Sequence, residues 1–175
     1  MKLSLKTIAF STLSALALLP TLLWANSVSA QPVGMNGNYI GAGVAAGVTN
    51  GGQDGDAATL GGNIQGRIDI PKAPVSVRGA VLFSGETAAI MPIVSYDLPV
   101  TNNANLYVGA GYSFVEDNGK PTPLGNQDSV VLTAGAEAAV TKDVVIYGDA
   151  KWGIDAYQNS PASAVSLQAG VGFRF

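Results

Sequence analysis

The chain has 175 residues, 9 Lys and Arg against 12 Asp and Glu, a formal net charge of −3, and neither Cys nor His. The acidic balance argues against a nucleic-acid partner. The missing Cys excludes a disulfide framework, and the missing His excludes His-dependent general-base catalysis and imidazole zinc sites.

Residues 1–30 read as a targeting segment. Lys2 and Lys6 give a positive start, and an apolar stretch from Ile8 to Trp24 follows, broken by Ser11, Thr12, Ser14 and Pro20. Val28-Ser29-Ala30 then offers small residues at the positions a signal peptidase requires, so cleavage is expected after Ala30. The mature part, 31–175, has the length of one domain. Loss of the two lysines moves the formal net charge from −3 to −5.

The mature part alternates between apolar and polar or small residues almost throughout. Eight strands are predicted, at 39–48, 61–70, 75–84, 89–98, 106–114, 129–140, 144–154 and 164–175. Each is about ten residues, the length that crosses a bilayer at a tilt. One face carries Ile40, Val44, Ile64, Ile68, Val77, Val94, Val108, Leu132 and Ile146, and no charge. The other carries Asn63, Gln65, Arg67, Ser76, Arg78, Ser95, Asp97, Thr133, Glu137, Asp149, Lys151, Gln168 and Arg174. A period of two in all eight segments predicts a sheet with one apolar and one polar surface. Pro92 removes a ladder hydrogen bond, so a bulge or local break is expected there.

Two architectures fit: a soluble barrel with its apolar face inward around a ligand, or a membrane barrel with that face outward. Three features favour the membrane. Tyr96, Phe173 and Phe175 fall near one set of strand ends, and Phe83, Tyr112, Phe114 and Trp152 near the other, as aromatic girdles do. Connections alternate in length: 71–74 and 141–143 are tight and 99–105 modest, while 49–60, 115–128 and 155–163 at the other rim are longer, with 85–87 the exception. The polar face is rich in Gly, Ala and Ser, which suits a narrow lumen.

The last strand, V-S-L-Q-A-G-V-G-F-R-F, puts Val165, Leu167, Ala169, Val171, Phe173 and Phe175 on one face. With the alternation and the targeting segment, it resembles the closing strand of bacterial outer-membrane β-barrels. Over the whole mature part the chain is similar to the small eight-stranded family of the outer membrane protein A amino-terminal barrel and the opacity-type barrels. The fold class expected is all-β: an eight-stranded antiparallel up-and-down transmembrane β-barrel. The resemblance implies a Sec-type route to the outer membrane and partnership with its lipids. It also implies a monomer without a cofactor, and an assembly signal in Val171, Phe173 and Phe175 read by the barrel assembly machinery. No peptidoglycan-binding domain is expected after Phe175, and the outer loops are short for a dedicated adhesin.

The charges on the polar face are the candidates for mechanism. A tight turn at 71–74 pairs Ile70 with Val75, and so sets Arg67 beside Arg78. Two facing cations require anions nearby. Strands six and seven lie across an eight-stranded barrel from strands two and three, so one network of Arg67, Arg78 and Lys151 with Glu137 and Asp149 is expected. It reads either as a plug or as a gate for ions and water, and the plug is favoured. Gly51-Gly52-Gln53-Asp54-Gly55-Asp56 has the look of a calcium loop but lacks a Glu ligand, so a solvated turn is expected and no metal site. Lipid-A-modifying barrels of this size use a His, which this chain lacks. The reading is a non-enzymatic outer-membrane barrel with an envelope or surface-interaction role. The alternatives are a low-conductance channel and a soluble ligand-binding barrel.

Overall fold

The computed structural model describes residues 33–51, 59–85 and 87–175. The targeting segment and the Asp54 and Asp56 loop lie outside them. The described chain forms eight strands: β1 (Tyr39–Gly47), β2 (Leu60–Asp69), β3 (Val75–Phe83), β4 (Ala88–Thr101), β5 (Ala104–Val115), β6 (Ser129–Ala139), β7 (Val144–Ile154) and β8 (Ala164–Arg174). Each pairs antiparallel with its sequence neighbours, and β8 pairs with β1, closing a barrel. Closure leaves no strand edge unpaired, which is what a sheet in lipid requires.

The period of two fixes which side chains face where. Ile40, Val44, Ile68, Val94, Val108 and Leu167 are exposed on the outside, while Asn63, Gln65, Arg67, Arg78, Glu137 and Lys151 are buried inside. The aromatic residues expected at the rims point outward: Tyr96, Phe173 and Phe175 at one end, Phe83, Tyr112, Phe114 and Trp152 at the other.

The barrel has a short-turn mouth and a long-loop mouth. At the first, Ile70 N donates to Val75 O at 3.1 Å and closes the β2–β3 turn. The β4–β5 connection is tighter than 99–105: β4 runs to Thr101, and only Asn102 and Asn103 turn the chain before Ala104. Pro99 does not end the strand. The bulge lies instead between Pro99 and Thr101, where the register slips. At Pro92 there is a break without a bulge. Ile90 pairs with Phe114 and Ile93 with Gly111 in one register, and the β5 ladder is interrupted between them, at the residue that lacks an N–H.

The interior is layered, not polar throughout. Toward the long-loop mouth the wall carries buried Leu82, Met91, Ile93 and Val131, with Ala45, Ala80, Ala89 and Ala164. The connections 116–128 and 155–163 fold into this end, so that Leu124, Ala156 and Tyr157 join the apolar cluster. Toward the short-turn mouth the interior is charged. Residues 33–38 close that mouth. The Asn105 side chain bonds both Met35 N, at 3.0 Å, and Met35 O, at 2.7 Å.

Candidate functional site: the charge network in the lumen

The β2–β3 hairpin sets Arg67 directly beside Arg78 in the ladder. Two guanidinium groups side by side repel unless acids are shared between them. Asp97, on β4, is one such acid: Oδ2 lies 2.9 Å from Arg67 Nη2 and Oδ1 lies 2.9 Å from Arg78 Nη2. Glu137, from β6, is the other. It lies 2.8 Å from Arg78 Nη1 and 3.4 Å from Arg67 Nε. Ser76 and Ser95 complete the shell. Arg67 Nε donates to Ser76 Oγ and Arg78 Nε to Ser95 Oγ, both at 2.8 Å. Ser76 Oγ also donates to Asp97. Asp69, at the mouth, takes a further Arg67 donor at 3.0 Å.

Asp149 does not reach this cluster. It pairs with Lys151 two residues along β7, at 2.7 Å, and accepts from Tyr107 Oη at 2.8 Å. The single network expected from sequence is therefore two ionic clusters joined by neutral groups. Lys151 Nζ lies 3.3 Å from Gln65 Oε1, Gln65 Nε2 donates to Tyr39 Oη at 3.2 Å, and Tyr39 Oη donates to Glu137 at 3.1 Å. The Tyr107 ring stacks under Arg78, with Cζ 3.6 Å from its centroid, a cation–π contact.

Three buried cations, Arg67, Arg78 and Lys151, meet three buried acids, Asp97, Glu137 and Asp149. A balanced, hydrogen-bonded set is the form in which charge is tolerated away from bulk water. Its chemistry is cross-linking: the clusters tie β2, β3, β4, β6 and β7 together through the lumen. The sequence places Asp97 and Gln65 on the polar face, but the expected network includes neither them nor Tyr39 and Tyr107. The signal was parity, since each shares the inward phase of the charged residues on its strand. Val171, Phe173 and Phe175 lie elsewhere, all exposed on the outer surface.

No family model and no curated protein matches the chain. Solved structures do. Neisserial surface protein A aligns with TM-score 0.56 and 21% identity, over 80% of this chain and 98% of that one. A de novo designed transmembrane β-barrel aligns with TM-score 0.54 and 13% identity, over 85% and 100%. Ail, the attachment invasion locus protein of Yersinia pestis, aligns with TM-score 0.53 and 16% identity, over 81% and 100%. The chain has the fold of the small eight-stranded outer-membrane β-barrels.

Proposed function

We propose that this protein is a non-enzymatic β-barrel of a bacterial outer membrane, with a lumen closed to solutes and a role at the cell surface or in envelope integrity. The observation that carries the reading is the inversion of polarity. An uncharged apolar belt faces out, and a neutralised set of six buried charges faces in. A soluble barrel would leave that belt in water, far beyond the patch sizes soluble proteins expose. The targeting segment supports export. The likeness to a surface protein and to an attachment invasion locus protein supports the surface role. The likeness to a designed barrel shows that the fold alone does not specify that role. Outer-membrane lipids and the assembly machinery are the partners this reading implies, with the barrel acting as a monomer.

The test is amine labelling with a membrane-impermeant reagent on intact cells, followed by carbonate extraction. Lys120 lies in the 116–128 loop with its side chain about half exposed. It should label on intact cells, whereas Lys72 and Lys142 should label only after permeabilisation. Release of the protein by carbonate, or labelling of Lys72 and Lys142 on intact cells, would contradict the location or the orientation.

A further inference from the structure

Residues 33–38 lie outside every strand and lead into β1. β1 and β5 stand on opposite sides of the closed eight-stranded ring, and this segment is bonded at both. At the β1 end Asn38 is held by its two neighbours in the ring. Asp69 N donates to Asn38 Oδ1 at 3.0 Å, and Phe175 N to Asn38 O at 3.0 Å. At the far side Gly34 N donates to Thr101 O, next to the β4–β5 turn, at 3.1 Å. Asn105, on β5, accepts from Met35 N and donates to Met35 O. Strands about 4.8 Å apart and tilted about 40° make a ring of eight roughly 16 Å across, or about 25 Å around half its rim. Six residues reach about 20 Å at full extension. The segment is long enough to cross the mouth and too short to go round it.

The sequence builds the crossing. Gly34 and Gly37 take φ of 77° and 98°, a left-handed backbone open to glycine at no steric cost. Between them Met35 enters the lumen, buried with Tyr39, Ala139, Val145 and Tyr147, while Asn36 stays exposed. The crossing also supplies acceptors to the charge network. Arg67 Nη1 donates to Met35 O at 3.1 Å and to Gly37 O at 3.2 Å. Asn105 donates to Glu137 at 3.3 Å as well as to Met35, and so ties the segment to the same cluster from the other wall. The packing is nevertheless one-sided. A cleft of about 240 Å³ opens beside Met35 and Asn36, toward Lys72 and Pro74 of the β2–β3 turn.

We propose that residues 33–38 are a releasable strap that latches the short-turn mouth, with Gly37 beside Asn38 as its hinge and Gly34 with Asn105 as its catch. Beyond the hinge its bonds go to side chains and a turn, not to the strand ladder. It can therefore open locally while the barrel stays closed. Opening withdraws Met35 from the base of the lumen and removes both acceptors of Arg67 Nη1. The strap thereby controls access to the ionic cluster from the short-turn side. Its contacts come from β2, β5, β6 and β7 together, so it docks after the wall has closed.

The inference rests on the closed-lumen reading. Conductance by the unmodified protein would sink that reading, whereas the rates below test the strap alone. The chain has no Cys, so Val145→Cys reports access to the Met35 cluster by a small charged thiol reagent. Leu82→Cys, in the buried layer at the long-loop end, is the control. Both are measured on protein folded in micelles. Reaction at position 145 should be slow behind the native strap. Adding Gly34→Ala should speed it about tenfold, the effect expected when an L-residue is forced into a left-handed backbone. The added Cβ would also strike Asn105 Oδ1, at the catch. The rate at position 82 should not change. Gly37→Ala, also at positive φ, provides a second release should Gly34→Ala fail to fold. An unchanged rate at position 145, or an equal rise at position 82, would overturn the strap. Failure of both alanine variants to fold would make 33–38 part of the barrel core and would overturn it too.

Discussion

Glu137 and Arg78 meet across the lumen as a two-point ion pair, with Oε2 2.8 Å from Nη1 and Oε1 3.2 Å from Nη2. Both are buried, and the same carboxylate also accepts from Tyr39 and Asn105. The pair joins β3 to β6, strands that are not neighbours in the sheet. It therefore braces the barrel across its section, which ladder hydrogen bonds cannot do.

Removing one partner of such a pair leaves a desolvated charge. Glu137→Ala should destabilise the barrel by about 3–5 kcal/mol, read from urea refolding in lipid. Arg78→Ala with Glu137→Ala should recover part of that loss. The same cycle with Arg67 should show weaker coupling, because Arg67 is 3.4 Å from Glu137 and holds Asp97 and Asp69 as well. Strict additivity in the Arg78 cycle would contradict the brace.

Val108 is exposed on the outer face, midway along β5. Val108→Arg should cost about 2–4 kcal/mol in a bilayer, the depth-dependent penalty for a charge on a lipid face. A harmless Val108→Arg would mean that this face does not meet lipid. The adjacent Gly109, in the inward phase of β5, is not a permissive position for comparison. A Cβ there would sit 2.7 Å from Val94 O and 3.1 Å from Ile93 Cγ2.

Glycines separate cleanly by what surrounds them. At Gly170 an added Cβ would strike the Tyr147 ring and lie 2.6 Å from Ala42 O, at the seam where β8 meets β1. Gly170→Ala should lose about 1–3 kcal/mol through overpacking. Gly79 faces outward, and a Cβ there would meet nothing within 4 Å. Gly79→Ala should gain about 0.5–1 kcal/mol from lost chain entropy alone. Parallel denaturation of the two variants checks both, and equal effects would contradict the packing at the seam.

The strands were legible because alternation survives in every segment, and the Arg67–Arg78 pairing because a tight turn leaves one register. Asp97 was harder to place. Alternation sets it on the inward face, but its place between the two arginines depends on the β3–β4 register, which brings it opposite the β2–β3 turn, where Asp97 N donates to Pro74 O at 2.9 Å. The inward tyrosines were obscured because aromatic residues in a barrel sequence suggest girdles, and only strand parity assigns Tyr39, Tyr107 and Tyr147 to the interior. The apolar cap was least visible. Leu124 is a lone apolar residue in a polar connection, and what buries it is the folding of two loops into one mouth, a long-range event that periodicity does not encode.

The outward row of Val171, Phe173 and Phe175 is proposed as the address that the assembly machinery reads. Phe175→Ala should then lower the amount of folded barrel in cells far more than its refolding yield in lipid vesicles. Equal losses in both would assign Phe175 a purely structural part in the girdle.

Planar-bilayer recording of the refolded, unmodified protein tests the closed lumen most directly. Balanced ionic clusters, a capped mouth and residues 33–38 across the other mouth predict a flat baseline with no discrete current steps, from protein shown to be folded by its resistance to protease. Reproducible steps of uniform conductance, abolished when the barrel is heat-unfolded before addition, would contradict the account and favour a channel.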